Sequence, residues 1–175
     1  MLNAEWSLFT YAYTTYALTN IINQDPSYST KYLPLIRTLI EKSLDSDLKS
    51  NFNFNNIFPL PSEYSDKNIS VLYYGHINLM IGCYRTISND STFNKLNDSI
   101  SYLFYNEYQK SITMNLESYP NQIWISDNTV ALASLEMYTE NTGFNYNEIC
   151  KKWVDLMKCK YTDSTTKLLY STIDK

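Results

Sequence analysis

Residues 117–128 carry the densest set of chemically capable side chains in the sequence: Glu117, Ser118, Tyr119, Asn121, Gln122, Trp124, Ser126, Asp127 and Asn128, followed at once by an apolar run over residues 129–135. Two carboxylates on one loop suit reactions in which two acids divide the work, as in glycosidic bond cleavage. Asp127 is the expected acid or base. It also has a purely structural reading, because Asp-Asn ahead of an apolar helix is the usual form of an N-cap. Tyr119 and Trp124 offer flat rings to a sugar or an apolar substrate, and Asn128 adds an amide to the set.

A second group lies at Tyr73-Tyr74-Gly75-His76, with Asn78 just beyond it. His76 is the single histidine, and only imidazole has an unperturbed pKa near neutrality, so it is expected to act as an acid, a base or a hydrogen-bond donor to a substrate oxygen. Its structural reading is a core histidine bonded to a backbone carbonyl or to Tyr73. Gly75 removes a side chain where something could approach closely. Tyr73, Tyr74, Asn78, Glu117, Tyr119, Trp124 and Asn128 are the expected substrate contacts, around His76 and Asp127 as the catalytic pair.

The segments that must position these groups are helical in pattern. Residues 6 to about 23 contain no charged side chain, and neither do residues 69–84. Residues 130–138 are nearly free of charge. Helices of this kind need cover on every side. Each is followed by an amphipathic segment: residues 31 to about 48, then 93–107, then a helix whose apolar face carries Ile149, Trp153, Leu156 and Met157. Asn145 with Glu148 resembles a capping box at the start of that last helix, and Gly143 suits the end of the one before. Residues 51–68 read as a long connection of the kind that serves as a functional loop or lid. The run near 167–171 looks extended.

Three uncharged helices alternating with three amphipathic ones predict an all-α fold, with an inner row and an outer row of helical hairpins of the α/α-toroid or solenoid type. Residues 1–175 form one such domain, and three hairpins make half of a six-hairpin ring. The expectation is therefore a homo-oligomer or a missing toroid half, against the alternative of a self-contained six-helix bundle. Antiparallel hairpins would bring Glu5-Trp6, Tyr73 to His76 and residues 124–128 to the same end.

Composition narrows the partners. The net charge is −4, and the 14 basic residues are scattered. Nucleic acid is not an expected partner. A small molecule or a glycan is. No stretch has the length and apolarity of a membrane span, and the first residues lack a basic signal-peptide region. Three widely spaced cysteines and one histidine make neither a disulfide framework nor a zinc pattern. The three glycines form no phosphate loop, and no G-x-S-x-G elbow occurs, so no cofactor is expected. The compartment stays open.

Tyr74-Gly75-His76-Ile77-Asn78-Leu79-Met80-Ile81-Gly82, taken with Pro120-Asn121-Gln122-Ile123-Trp124-Ile125-Ser126-Asp127-Asn128, resembles the linalool dehydratase–isomerase-like proteins, an α/α-toroid group. The similarity runs from about residue 69 to 175, with a weaker echo at Glu5-Trp6. It implies that His76, Tyr73 and Tyr74 line a pocket. The family's terpenoid chemistry uses two cysteines at positions that here hold Ser118 and Asp127. That departure argues against the dehydratase reaction and leaves acid–base elimination, epimerisation or glycan processing as the implied chemistries. The rivals are a non-catalytic helical-repeat binding module and an inactive truncated product.

Overall fold

The structure is a computed structural model that describes residues 4–52 and 70–173. The described residues are almost wholly helical: α1 (Ala4–Gln24), α2 (Ser29–Ser43), the single turn α3 (Ser46–Lys49), α4 (Val71–Ile87), α5 (Asn94–Lys110), α6 (Ile125–Thr142) and α7 (Asn147–Lys160). Two short strands, β1 (Ile123–Trp124) and β2 (Thr172–Ile173), pair antiparallel. Most of the expected connection at 51–68 lies outside the described residues. Only its start is seen, in a 3-10 turn over Ser50–Phe52.

The helices poorest in charge along their middle, α1, α4 and α6, run side by side in one direction. Tyr16 meets His76 and Thr19 lies beside Cys83, so α1 and α4 advance together. Asn78 meets Ser134, and Asn141 near the end of α6 donates to the Gly82 carbonyl, so α4 and α6 do the same. The amphipathic helices return the chain. Ser43 at the end of α2 takes the Tyr73 hydroxyl near the start of α4, and Arg37 earlier in α2 reaches Asp90 beyond the end of α4. Cys150 on α7 bonds the Leu132 carbonyl, while Tyr146 stacks on Tyr138.

Cover on all sides holds for α4, which packs against α1, α2, α5 and α6. From Val71 to Tyr84 every residue but Leu79 is buried. It does not hold for α1. Trp6 is 67% exposed and Tyr13 58%, because α1 lies at the edge of the array: its Leu8–Ala12–Thr15–Thr19–Ile22 face is buried, while Phe9 and Tyr16 reach His76 from its flank. On α6, Ser126, Ala133, Glu136 and Glu140 face solvent. Helix α2 is shorter than the pattern at 31–48 suggests. It stops at Ser43, and Asp45 starts α3 by accepting the amide of Asp47 at 2.9 Å.

Gly75 explains how closely α4 and α6 approach. A Cβ there would stand 3.3 Å from the backbone nitrogen of Ala131. The object that needs the missing side chain is therefore helix α6. Asn78 pins the same interface from within: its amide donates to Ser101 at 3.0 Å and Ser134 at 2.8 Å, and accepts from Asn97 at 2.7 Å. Buried amides remain in a core only when satisfied in this way.

Gly143 ends α6 in the left-handed conformation, with φ of +74°, as its type suggests. The start of α7 differs from the capping-box expectation. Asn145 accepts the amide of Asn147 in a local turn, the cap position is Tyr146, and Glu148 pairs with Lys152. None of the helices among the described residues is long and apolar enough to cross a membrane.

Candidate active site

The parallel arrangement places the starts of α1, α4 and α6 against the loop 117–124. Ser70 caps α4 and also donates to the Ser118 carbonyl at 2.6 Å, and the Val71 amide donates to the Glu117 carbonyl at 3.1 Å. The loop is held from behind by Asn128. Its Oδ1 accepts from the Leu116 amide at 2.7 Å and the Tyr108 hydroxyl at 2.9 Å, while its Nδ2 donates to the carbonyls of Leu116 and Trp124. Every face of this amide meets the protein's own chain.

Helix α6 begins at Ile125, so Asp127 lies inside its first turn and is not the N-cap; the cap residue is Trp124, and no side chain caps there. The cause is the two-stranded pairing. Residues 171–173 lie along 123–125, and the Ile125 amide donates to the Ser171 carbonyl at 3.0 Å. That backbone bond does what a capping side chain would do.

Freed from capping, Asp127 is 8% exposed. Burial raises its pKa above the usual carboxylate range, and the Glu5 carboxylate adds to the rise. The Ser118 and Ser126 hydroxyls pull the other way. The Ser118 hydroxyl also accepts the Trp124 amide at 3.3 Å. Glu5, at the start of α1, accepts a hydrogen bond from the Tyr119 hydroxyl. Burial and Glu5 raise the pKa of that phenol, and Asp127 contributes as well. Two carboxyl groups, a phenol and a hydroxyl thus meet at one end of the helix array.

The remaining expected residues are distributed differently. His76 is buried on the α1 side, where its Nδ1 meets the Tyr16 hydroxyl at 2.9 Å and the rings of Phe9 and Tyr13 lie at 5.3 and 5.8 Å. Burial lowers its pKa to about 4, so the ring is neutral at neutral pH. Among the described residues, no hydrogen bond or ring contact joins His76 to Asp127. Tyr73 is fully buried, donates to the Ser43 carbonyl and stacks on Phe52. Tyr74 is buried against it. Asn78 and Asn128 are fully buried in the networks described above. Glu117 accepts the Asn121 amide at 3.2 Å. Trp124 is 40% exposed, with its ring nitrogen 3.5 Å from Gln122.

Glu5 is expected at this end of the array but is given no role by the sequence, and Tyr16 is not assigned to the site at all. The signal for a role is that Glu5 is the one carboxylate at the head of a helix with no other charge. Tyr16 gave no signal within a run of aromatics. Among the described residues, no cluster of three histidine, cysteine or acidic side chains could hold a metal ion. Cys83 and Cys150 are buried, and burial pushes both thiols up to about 11. The sequence matches no protein-family model.

Proposed function

We propose that this chain is an enzyme domain of α/α-toroid type, related to the linalool dehydratase–isomerase-like proteins and forming one part of a larger ring, that performs acid–base chemistry on a small-molecule or glycan substrate. The observation that carries this reading is Asp127: a largely buried carboxyl with a raised pKa, beside a second carboxylate, at the meeting point of three helix starts. Carboxyl pairs whose surroundings push their pKa values apart are suited to divide acid and base roles.

In this reading Asp127 transfers the proton, Ser118 orients it, and Glu5 with Tyr119 forms the second acid–base group. His76, neutral and a weak base, contributes a hydrogen bond passed on to Tyr16. Tyr73, Tyr74 and Asn78 hold α4 in place behind the site, Asn128 fixes the loop, and Glu117 and Trp124 flank the substrate. Elimination, epimerisation and glycoside cleavage all fit a carboxyl pair. The thiol-dependent dehydration does not, since Ser118 and Asp127 stand where it needs cysteines.

The test is a mass-spectrometric turnover screen of the purified chain against neutral oligosaccharides and hydroxylated small molecules, alone and with Asp127→Asn. The expected result is conversion of one class, reduced about 100-fold or more in the variant. No conversion, together with an ordinary carboxylate titration of Asp127, overturns the reading. A second reading, a non-catalytic helical-repeat module, draws on the exposed aromatic face of α1. Ligand binding that depends on Trp6 and Tyr13, and not on Asp127, would favour it.

A further inference from the structure

A cleft of about 330 Å³ opens between α5 and α7, lined by none of the residues of the carboxyl cluster. Tyr105, Met114 and Ile149 supply its apolar wall and floor, and Gln109, Glu148 and Lys152 its polar groups. We propose that this cleft binds a neutral sugar, as a mono- or disaccharide, and that it does so independently of the acid–base site.

Three observations converge on that ligand class. The Tyr105 ring does not move freely. It stacks on Tyr146 at 4.5 Å, and Tyr146 stacks on Tyr138 at 5.7 Å, so a column of three rings backs the wall. A flat ring fixed in advance loses little entropy on binding, and the C–H-rich face of a pyranose is the natural partner of an aromatic surface.

The charges in the cleft cancel. Glu148 and Lys152 are bonded to each other at 2.7 Å. An anion would face Glu148 and a cation would face Lys152, whereas neighbouring hydroxyls of a sugar donate to the carboxylate and accept from the ammonium without parting them. The Gln109 amide adds one donor and one acceptor of the same kind. Finally, the volume lies at the lower end of the range of small-molecule pockets, which suits one or two sugar rings.

The experiment is a titration of the full chain, isotopically labelled, with glucose, N-acetylglucosamine and cellobiose, followed through backbone amide shifts. Saturable shifts at Gln109, Ile149 and Lys152 at millimolar sugar are expected. Glu148→Gln, on the exposed rim, should weaken binding about tenfold with the helical circular dichroism unchanged. Tyr105→Ala should weaken it further, and Tyr105→Trp should restore it. Asp127→Asn should leave it unaltered, which separates this proposal from the catalytic one. Absence of saturable shifts, shifts centred on Trp6 and Tyr13, or full binding by both Glu148→Gln and Tyr105→Ala would overturn it.

Discussion

The hydroxyl of Tyr119 donates to the carboxylate of Glu5 across 114 positions of sequence, tying the first turn of α1 to the loop that leads into α6. A hydrogen bond to a charged group is worth more than one between neutral groups. Tyr119 is only partly buried, so Tyr119→Phe should cost about 1 kcal/mol, read as a lower midpoint with unchanged slope in urea unfolding.

Glu5 raises the pKa of Asp127 through its charge. Glu5→Gln removes that charge and should move the Asp127 titration downward, as measured by carbon-detected NMR of the carboxyl group. An upward or absent shift would show that the two groups do not sense each other.

Asp127 itself predicts a stability effect of definite sign. A carboxyl whose folded pKa lies above its unfolded value binds its proton more tightly when folded. Its contribution is therefore favourable at low pH and is lost as pH rises past the unfolded pKa toward the folded one. Asp127→Asn should stabilise the chain at pH 7 to 8 relative to pH 4 while removing proton transfer. Thermal unfolding at two pH values measures it.

His76 acts in the opposite sense. Its folded pKa of about 4 lies below the ordinary value of 6.5, so the unfolded chain takes up the proton first. Stability is unaffected above pH 6.5 and falls as pH drops from 6.5 to 4, by about 3 kcal/mol over the full window. His76→Gln should flatten that slope in urea unfolding at pH 7 and pH 4.5.

The glycines of α4 should respond unequally. At Gly82 the added Cβ meets the Cγ of Met137 at 2.8 Å, a flexible side chain that can move aside. At Gly75 it meets the backbone of Ala131. Gly75→Ala should cost about 1–3 kcal/mol from overpacking, less the roughly 1 kcal/mol gained in helix propensity. Gly82→Ala should lie near neutral, and urea unfolding of the two variants compares them.

The helices were readable because their signature is local. The absence of charge from 69 to 84 requires a helix covered all round, and α4 is one. The same absence misled over α1, where residues 6–23 look equally apolar but Trp6 and Tyr13 face outward, since sequence does not say which helix lies at the edge. The loop 117–128 was legible as a concentration of polar groups. Its geometry was not, because the start of α6 is set by a strand pairing with residues nearly 50 positions away. That pairing decides that Asp127 sits within the first turn. Asn78 and Asn128 show the same limit from the other side. An amide that binds substrate and one that binds its own backbone are the same residue type, and only the surrounding partners distinguish them.

The pairing of β1 with β2 also sets an order of events during synthesis. Chains fold from the N-terminus as they emerge, and α1, α4 and α5 can pack before residue 125 exists. The first turn of α6 gains its backbone partner only when residues 171–173 have emerged. Until then the Ile125 amide, two positions ahead of Asp127, lacks the Ser171 carbonyl that closes the start of the helix.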